Sequence, residues 1–142
     1  MGATMSYNKP FIMDTGRERS LHFDVFAVQS AMDLDDPYRL SLPYTRKMMA
    51  FLLFNGAPRR ILLLGLGGGS LAKFCYRHLA SAAITVVEVN PEVIAFRDAF
   101  FIPAQACPNV FRTESAGCRF ELILRAPEYA KVLYPWGFSR TG

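Results

Sequence analysis

The sequence predicts an α/β fold built around a parallel β-sheet, on three observations. Two short apolar segments, residues 60–64 and 83–89, are each followed by a segment with helical character. The connection after the first of them is rich in glycine. After the second, Asn90 and Pro91 supply the capping side chain and the first-turn proline of a helix. A β-α-β-α order implies parallel strands joined by right-handed crossovers.

The segments before this unit predict a smaller β element. Residues 1–20 are polar and irregular, and we expect a loose arm there. Residues 21–28 alternate and then become apolar, which predicts a strand. Ser41 and Pro43 predict the start of a helix with Ser41 as its cap, continuing over residues 44–54.

The segments after the unit are harder to interpret. Residues 109–113 and 119–124 fit either strands or a short helix, and 130–134 fit a buried strand. We therefore expect an N-terminal arm and β segment over residues 1–42. A partial Rossmann-like domain should follow over residues 43–142, with a parallel sheet that is incomplete at the C-terminus.

Composition and charge narrow the functional classes. The chain has 142 residues, 51% of them hydrophobic and 20% charged, which suits one packed domain rather than a disordered chain. The net charge is +4, but the basic residues are scattered and form no run longer than two. A nucleic-acid surface more often shows a stripe or cluster, so we expect no nucleic-acid partner.

Cysteine usage and hydropathy indicate the compartment. The three cysteines are odd in number and contain no CxxC pair, which argues against a disulfide framework and against a metal site. The sequence shows neither a secretory signal nor an apolar stretch long enough to cross a membrane. We therefore expect a cytoplasmic protein without a metal or a membrane partner.

The glycine-rich connection carries the clearest chemistry. Gly65, Gly67 and Gly69 form a GxGxG pattern, and glycine permits both unusual backbone angles and close approach of a ligand. Glu88 follows 23 positions after Gly65, at the end of the second strand, where a carboxylate can accept hydrogen bonds from both ribose hydroxyls. Dinucleotide enzymes favour GxGxxG or GxGxxA, and Ser70 stands where that pattern has its last glycine or alanine, so the sequence favours an adenosyl ligand over NAD. The alternative is a tight turn without a ligand.

Several other residues have a structural interpretation. We expect His22, in a strand, and His78, on a helix face, to be structural because no nucleophile or metal ligand accompanies them at a useful spacing. Cys75 should lie in the core. The acidic group Asp33, Asp35 and Asp36 is interpreted as a solvated turn rather than an amine site.

Beyond these motifs, the chain resembles the spermidine synthase family of polyamine aminopropyltransferases over about half its length, residues 29–98. The glycine pattern and Glu88 are shared with methyltransferases, whereas the segment from Gln29 to Tyr44 points to this family. The resemblance depends on the following stretches: Val28-Gln29, Tyr44, Ile61-Leu62-Leu63-Leu64-Gly65-Leu66-Gly67-Gly68-Gly69-Ser70-Leu71 and Val86-Val87-Glu88-Val89-Asn90-Pro91-Glu92-Val93-Ile94.

The resemblance implies a small N-terminal β-domain and a class I methyltransferase-like domain. It implies transfer of an aminopropyl group from decarboxylated S-adenosylmethionine to a diamine such as putrescine, with no metal. The glycines, including Gly68, together with Glu88 and Asn90, would bind the adenosyl co-substrate. Gln29 and Tyr44 would bind the substrate amine, although Tyr44 equally suits packing on the core.

The sequence also departs from the family pattern at positions that carry acids. Gly68 stands where the family turn has an aspartate, and Thr45 stands where glutamine or histidine is usual. The aspartate expected near residues 116–117 and the catalytic aspartate expected near 135–139 are missing, so the catalytic residue is unassigned. Two alternatives follow: an S-adenosylmethionine-dependent methyltransferase, and a non-catalytic module that forms a homodimer through an exposed sheet edge.

Overall fold

The computed structural model describes residues 9–106, 109–112 and 129–132 and contains two β-sheets with helices between their strands. A three-stranded antiparallel sheet comes first along the chain, and a four-stranded parallel sheet follows. The strands are β1 (Phe11–Thr15), β2 (Glu18–His22), β3 (Val28–Asp33), β4 (Arg60–Leu64), β5 (Ala83–Glu88), β6 (Asn109–Arg112) and β7 (Tyr129–Val132); the helices are α1 (Pro43–Met48), α2 (Ser70–His78) and α3 (Pro91–Ala95), with 3₁₀ helices at Met49–Leu53 and Ala104–Ala106.

The larger sheet confirms the predicted parallel arrangement. Its strand order is β6-β5-β4-β7, and all three pairings are parallel. Ile61 and Leu63 on β4 and Ile84 and Val86 on β5 are buried, which is why these strands read as apolar segments. Residues 109–112, where a strand or a short helix was expected, form strand β6, and the strand predicted near 130 is present as β7. The predicted element over 119–124 lies outside the described residues. The prediction that the sheet is incomplete at the C-terminus stays a prediction.

The smaller sheet corrects two predictions. Within the described residues, the expected loose arm is instead a hairpin of β1 and β2, because Gly16 adopts a φ of 59° in its two-residue turn. The strand predicted over 21–28 is also wrong, since the chain turns between β2 and β3. The cause is Asp24, whose Oδ1 accepts hydrogen bonds from the backbone N–H groups of Phe26 and Ala27, both at 2.9 Å.

The helix predicted over residues 44–54 is divided into α1 and a 3₁₀ helix. The predicted cap is wrong: Leu42 occupies the N-cap position, and its side chain makes no capping hydrogen bond. The Ser41 Oγ atom is buried without a hydrogen-bond partner among the described residues. Thr45 instead bonds locally, because its hydroxyl donates to the Leu42 carbonyl at 2.6 Å.

One apolar cluster includes residues of both sheets, among them Leu21 and Met32 from the small sheet and Ile61 and Val86 from the large one. The boundary predicted between residues 42 and 43 stays a prediction. Cys75 lies in this cluster with no exposed surface, as expected, and burial raises the pKa of its thiol to about 12. Among the described residues, no helix has both the length and the apolar character needed to span a membrane.

Candidate functional site

The glycine-rich turn lies where β4 and β5 end side by side. The backbone N–H of Gly65 donates to the Val87 carbonyl at 2.7 Å, so the parallel ladder continues into the first residue of the turn. The N–H of Gly69 donates to the Leu66 carbonyl at 2.9 Å, and α2 begins at Ser70. In open α/β sheets, ligands bind outside the carboxyl ends of the strands, which is this edge.

The three glycines of the GxGxG pattern all have left-handed backbone angles. The φ angles are 94° at Gly65, 55° at Gly67 and 70° at Gly69. Side chains other than glycine rarely adopt such angles. The backbone of the turn therefore requires glycine at these three positions. Because glycine has no side chain, a ligand can also approach the backbone closely there.

Gly68 has a different requirement. A Cβ atom at this position would lie 2.7 Å from Ser30 Oγ and 2.9 Å from the Phe100 ring. Glycine stands here because the small sheet and the ring of Phe100 fill the space where a side chain would begin. An aspartate, which the family pattern has at this position, would not fit without movement of these neighbours.

Glu88 connects the second strand to the turn. The side chain is only 8% exposed, and its Oε2 accepts a hydrogen bond from the N–H of Leu66 at 2.8 Å. Its Oε1 accepts from the N–H of Asn90 at 2.9 Å. Each carboxylate oxygen has two acceptor positions, so one position on each stays available for a vicinal diol such as that of a ribose. The predicted ribose-binding carboxylate is thus held against the glycine turn.

Asn90 caps α3, as predicted. Its Oδ1 accepts a hydrogen bond from the N–H of Glu92 at 2.9 Å, which orients the side-chain amide. The residue is 4% exposed, and its Nδ2 has no hydrogen-bond partner among the described residues. A buried donor beside Glu88 suits an additional acceptor from a bound nucleoside.

Gln29 and Tyr44, the predicted amine-binding residues, are brought together. The Tyr44 hydroxyl donates to the backbone carbonyl of Gln29 at 2.8 Å and thereby joins α1 to β3. The next residue, Ser30, lies 3.3 Å from Ser70 through their hydroxyl oxygens and also faces Gly68. The backbone of Gln29 is therefore one residue away from a strand position that contacts the glycine turn. A role in binding an amine stays a prediction.

The acidic group on the loop after β3 is neutralised by arginine. Ion pairs join Arg17 with Asp35, Arg39 with Asp33, and Arg77 with Asp36. Backbone hydrogen bonds from residues 35 and 36 lower the pKa of Asp33 further, as do the two nearest guanidinium groups. This agrees with the interpretation of a solvated turn, because each of the three carboxylates has an arginine partner.

A surface cleft of about 420 Å³ lies beside the same group, lined by Thr15, Arg17, Glu18, Asp33, Arg39 and Ser41. It is distant in sequence from the glycine turn and contains charges of both signs, so we do not assign it to the ligand. Within the part of the chain that the structure describes, no group of histidine, cysteine and acidic side chains could hold a metal ion.

The two histidines make ring contacts. His22 stacks on Phe11 with ring centroids 5.3 Å apart, and its Nε2 lies 2.8 Å from Ser20 Oγ. His78 lies against Phe74 at 4.4 Å between centroids. These contacts fit the structural interpretation of both residues.

Sequence reasoning missed four residues that surround the glycine turn: Ser30, Lys73, Phe100 and Ile102. Lys73 is the least expected, because a lysine on a helix is usually solvated, whereas this one has no exposed surface. No local pattern signals these positions. Their role depends on contacts between segments that are far apart in the sequence.

Comparison with known proteins gives a consistent result, although no family model matches the chain. A polyamine aminopropyltransferase of Chromobacterium violaceum is 51% identical over 90 residues, which are 63% of this chain and 34% of the relative. The polyamine aminopropyltransferase of Neisseria meningitidis serogroup A is 41% identical over 123 residues, 85% of this chain and 43% of the relative. The chain thus spans less than half the length of these relatives.

Among solved structures, the chain is similar to a probable spermidine synthase from Corynebacterium glutamicum. The TM-score is 0.56 at 21% identity, and the match covers 70% of this chain and 38% of the solved one. At this identity the likeness concerns the fold, and it agrees with the α/β architecture described above. The positions near 116–117 and 135–139, where family acids were expected, lie outside the described residues.

Proposed function

Since this chain belongs to the polyamine aminopropyltransferase family, we propose that it binds decarboxylated S-adenosylmethionine and transfers the aminopropyl group to a diamine such as putrescine. The observation that carries the proposal is the contact between Glu88 and the glycine turn. The carboxylate offers acceptors to a ribose, and the left-handed glycines give the nucleoside close access to the backbone. Gln29 and Tyr44 are the proposed contacts of the amine.

The proposed reaction is an in-line displacement. The nitrogen lone pair of the amine attacks the methylene carbon beside the sulfonium; a C–N bond forms and the C–S bond breaks. The electron pair of that bond stays on sulfur, which gives neutral methylthioadenosine. The attacking amine must be unprotonated, and the new ammonium passes its surplus proton to a base. That base is unassigned, because residues 135–139, where the family aspartate was expected, contain no carboxylate in this sequence.

Calorimetric titration tests the proposal. The purified protein is titrated with decarboxylated S-adenosylmethionine, S-adenosylmethionine, methylthioadenosine and NAD. We expect decarboxylated S-adenosylmethionine and methylthioadenosine to bind most tightly. Formation of spermidine from putrescine is then measured with the decarboxylated ligand. Preference for NAD, or no binding of any nucleoside, would contradict the proposal.

A matched pair of variants shows whether binding uses the described site. Glu88→Ala removes the proposed ribose acceptor, and we expect the dissociation constant to rise at least about ten-fold, as for loss of hydrogen bonds to a charged group. Glu92→Ala removes a carboxylate from an exposed position four residues later, and affinity should stay unchanged. Both titrations are made well below the unfolding temperature of the less stable variant. An equal effect of the two substitutions would show that binding uses another site.

An S-adenosylmethionine-dependent methyltransferase is the second candidate. It is favoured by the lack of room for an acid at Gly68, because a site without that carboxylate suits an uncharged acceptor better than a diamine. In the same titrations it predicts tighter binding of S-adenosylmethionine than of its decarboxylated form.

A non-catalytic homodimer is the third candidate. Phe26 and Phe54 expose 94% and 92% of their surface, and Leu53 exposes 84%, which suits contact with a second apolar surface. The expected result is a mass that rises with concentration in light scattering, together with no binding of the adenosyl ligands. A constant monomer mass would exclude it.

A further inference from the structure

Lys73 is a buried cation to which the proposed function gives no role. It lies on α2 with no exposed surface. Its Nζ donates to the Phe100 carbonyl at 2.8 Å and lies 3.0 Å from the Met32 sulfur. Among the described residues it is paired with no carboxylate, and burial lowers the pKa of its ammonium to about 8. Because burial of an unpaired ammonium is unfavourable, its position calls for an explanation other than stability.

The carbonyl that Lys73 binds belongs to a strained turn formed by residues 99–102, which we call the 99–102 turn. Phe101 has a φ of 51°, a left-handed angle that is unfavourable for an aromatic residue. Two cations bind successive carbonyls of this turn. Arg19 donates to the Ala99 carbonyl at 2.7 Å, and Lys73 donates to the Phe100 carbonyl. Hydrogen bonds from a charged donor to a backbone carbonyl are stronger than those between neutral groups.

The same turn packs directly against the glycine-rich turn. The Phe100 ring lies where a Cβ of Gly68 would be, at 2.9 Å. The Ile102 side chain lies against Gly69, where an added Cβ would be 2.6 Å from Ile102 Cγ1. Lys73 is also one helical turn from Gly69, because its backbone N–H donates to the Gly69 carbonyl at 2.8 Å. Its side chain and its backbone thus connect both turns.

We propose that Lys73 is a positioning residue for the adenosyl-binding turn, which it holds in shape through its hydrogen bond to the Phe100 carbonyl. With this bond in place, Phe100 and Ile102 press on Gly68 and Gly69 and fix the angles of the turn. Lys73 itself contacts no ligand. The proposal rests on the proposed function for its ligand and on the observed contacts for its mechanism.

The test uses Lys73→Met, which keeps an unbranched side chain of similar length but donates no hydrogen bond. Two quantities are measured in the full chain: the dissociation constant of methylthioadenosine by calorimetry, and the hydrogen-exchange rate of the Gly69 amide by NMR. The Gly69 N–H donates to Leu66 within the turn, so its exchange reports the shape of the turn directly. We expect methylthioadenosine to bind about ten-fold more weakly. The Gly69 amide should exchange at least about ten-fold faster.

Cys75→Ala is the matched control. Cys75 is equally buried in the core on the same helix, but among the described residues its side chain makes no hydrogen bond to the 99–102 turn. This substitution lowers the unfolding temperature through a small cavity, whereas both the affinity and the Gly69 exchange rate should change less than about two-fold relative to the wild type, after correction for global stability. A general loss of helix stability would instead affect both variants alike.

The outcomes separate this inference from the proposed function. If wild-type protein binds methylthioadenosine and Lys73→Met binds it equally well, the inference is wrong. If wild-type protein binds no adenosyl ligand, the proposed function fails, and Gly69 exchange alone decides the inference. Faster exchange in Lys73→Met only would support it, and unchanged exchange would overturn it.

Discussion

The carboxylate of Glu88 is hydrogen-bonded to the glycine turn, since its Oε2 accepts the N–H of Leu66 at 2.8 Å. The sequence had predicted only that this carboxylate binds a ribose beside the turn. Its other oxygen accepts the N–H of Asn90, so both oxygens receive backbone donors. Ligand binding and local structure therefore depend on the same side chain. Substitution of Glu88 should lower stability as well as affinity, which distinguishes it from a residue that only contacts ligand.

Glu88→Gln tests this double dependence. The amide has one oxygen and one NH₂ group, so one of the two backbone donors would face another donor. Since an unsatisfied buried donor is unfavourable, we expect the free energy of unfolding to fall by about 2 kcal/mol. Urea denaturation followed by circular dichroism measures it.

Glu92→Gln makes the same chemical change at an exposed position. It should alter the free energy of unfolding by no more than about 0.5 kcal/mol. Stability of Glu88→Gln equal to that of the wild type would mean that the two backbone hydrogen bonds do not form in solution.

The glycines allow backbone strain to be separated from steric overlap. Gly69 and Gly16 have similar left-handed φ angles, 70° and 59°, but a Cβ at Gly69 would overlap Ile102, whereas at Gly16 there is nothing within 4 Å. We expect Gly16→Ala to lower the free energy of unfolding by about 1 kcal/mol, from strain alone. Gly69→Ala should lower it by about 3 kcal/mol, because overpacking adds to the strain.

Denaturant melts of the two alanine variants and the wild type provide the comparison. The double substitution Gly69→Ala with Ile102→Val removes a methyl group, Cδ1, from the contact, and it should recover part of the loss. Equal losses at Gly16 and Gly69 would show that the 99–102 turn does not press on the glycine turn.

The sequence predicted those parts of the fold that are determined by residues close together in the chain. A strand, a glycine turn and a helix follow one another between residues 60 and 78, and each is determined by its own residues: apolar β4, left-handed Gly65 and an apolar helix face. Glu88 was found for the same reason, since its distance from the turn follows from the lengths of α2 and β5. Sequence spacing therefore located the centre of the candidate site.

The residues that sequence reasoning missed act over long separations. Ser30 meets Gly68 from the small sheet, and Lys73 meets Phe100 across 27 positions. Any prediction based on residue polarity places a lysine at the surface. Nothing in the sequence around Lys73 shows that a backbone carbonyl and a methionine sulfur will contact its ammonium. The β1–β2 hairpin was missed for another reason: no residue of β1 is buried, and two of the three buried residues of β2, Ser20 and His22, are polar, so the strands lack the apolar signal.

Lys73 should also give the stability of the protein a measurable pH dependence. Burial lowers the pKa of the ammonium from 10.5 to about 8 in the folded chain, while the unfolded chain keeps the higher value. Between these values the unfolded chain binds more protons, so stability rises with pH. We expect the gain to be about 1 kcal/mol between pH 8 and pH 9, and none from this group well below pH 8.

Ionisation of the Cys75 thiol makes stability fall with pH, opposite to the effect of Lys73. Cys75 must therefore be replaced before the pH dependence is measured. Burial raises its pKa from 9.0 to about 12, so the unfolded chain loses the thiol proton first and stability falls as pH rises above about 9. The measurement is therefore made in Cys75→Ala protein, by urea denaturation from pH 7 to pH 10.

Two charged groups on neighbouring elements keep their charge over this range. Asp33 follows Met32 on β3, and hydrogen bonds from the backbone of residues 35 and 36 lower its pKa. Arg19 binds the Ala99 carbonyl, and its hydrogen bond to Asp14 raises its pKa. In Cys75→Ala protein, stability should rise over pH 8 to 10, and adding Lys73→Met should abolish the part of the rise that Lys73 causes. An identical pH profile with and without Lys73 would mean that its ammonium is not buried in solution. That result would also contradict the buried hydrogen bond from Lys73 to the Phe100 carbonyl.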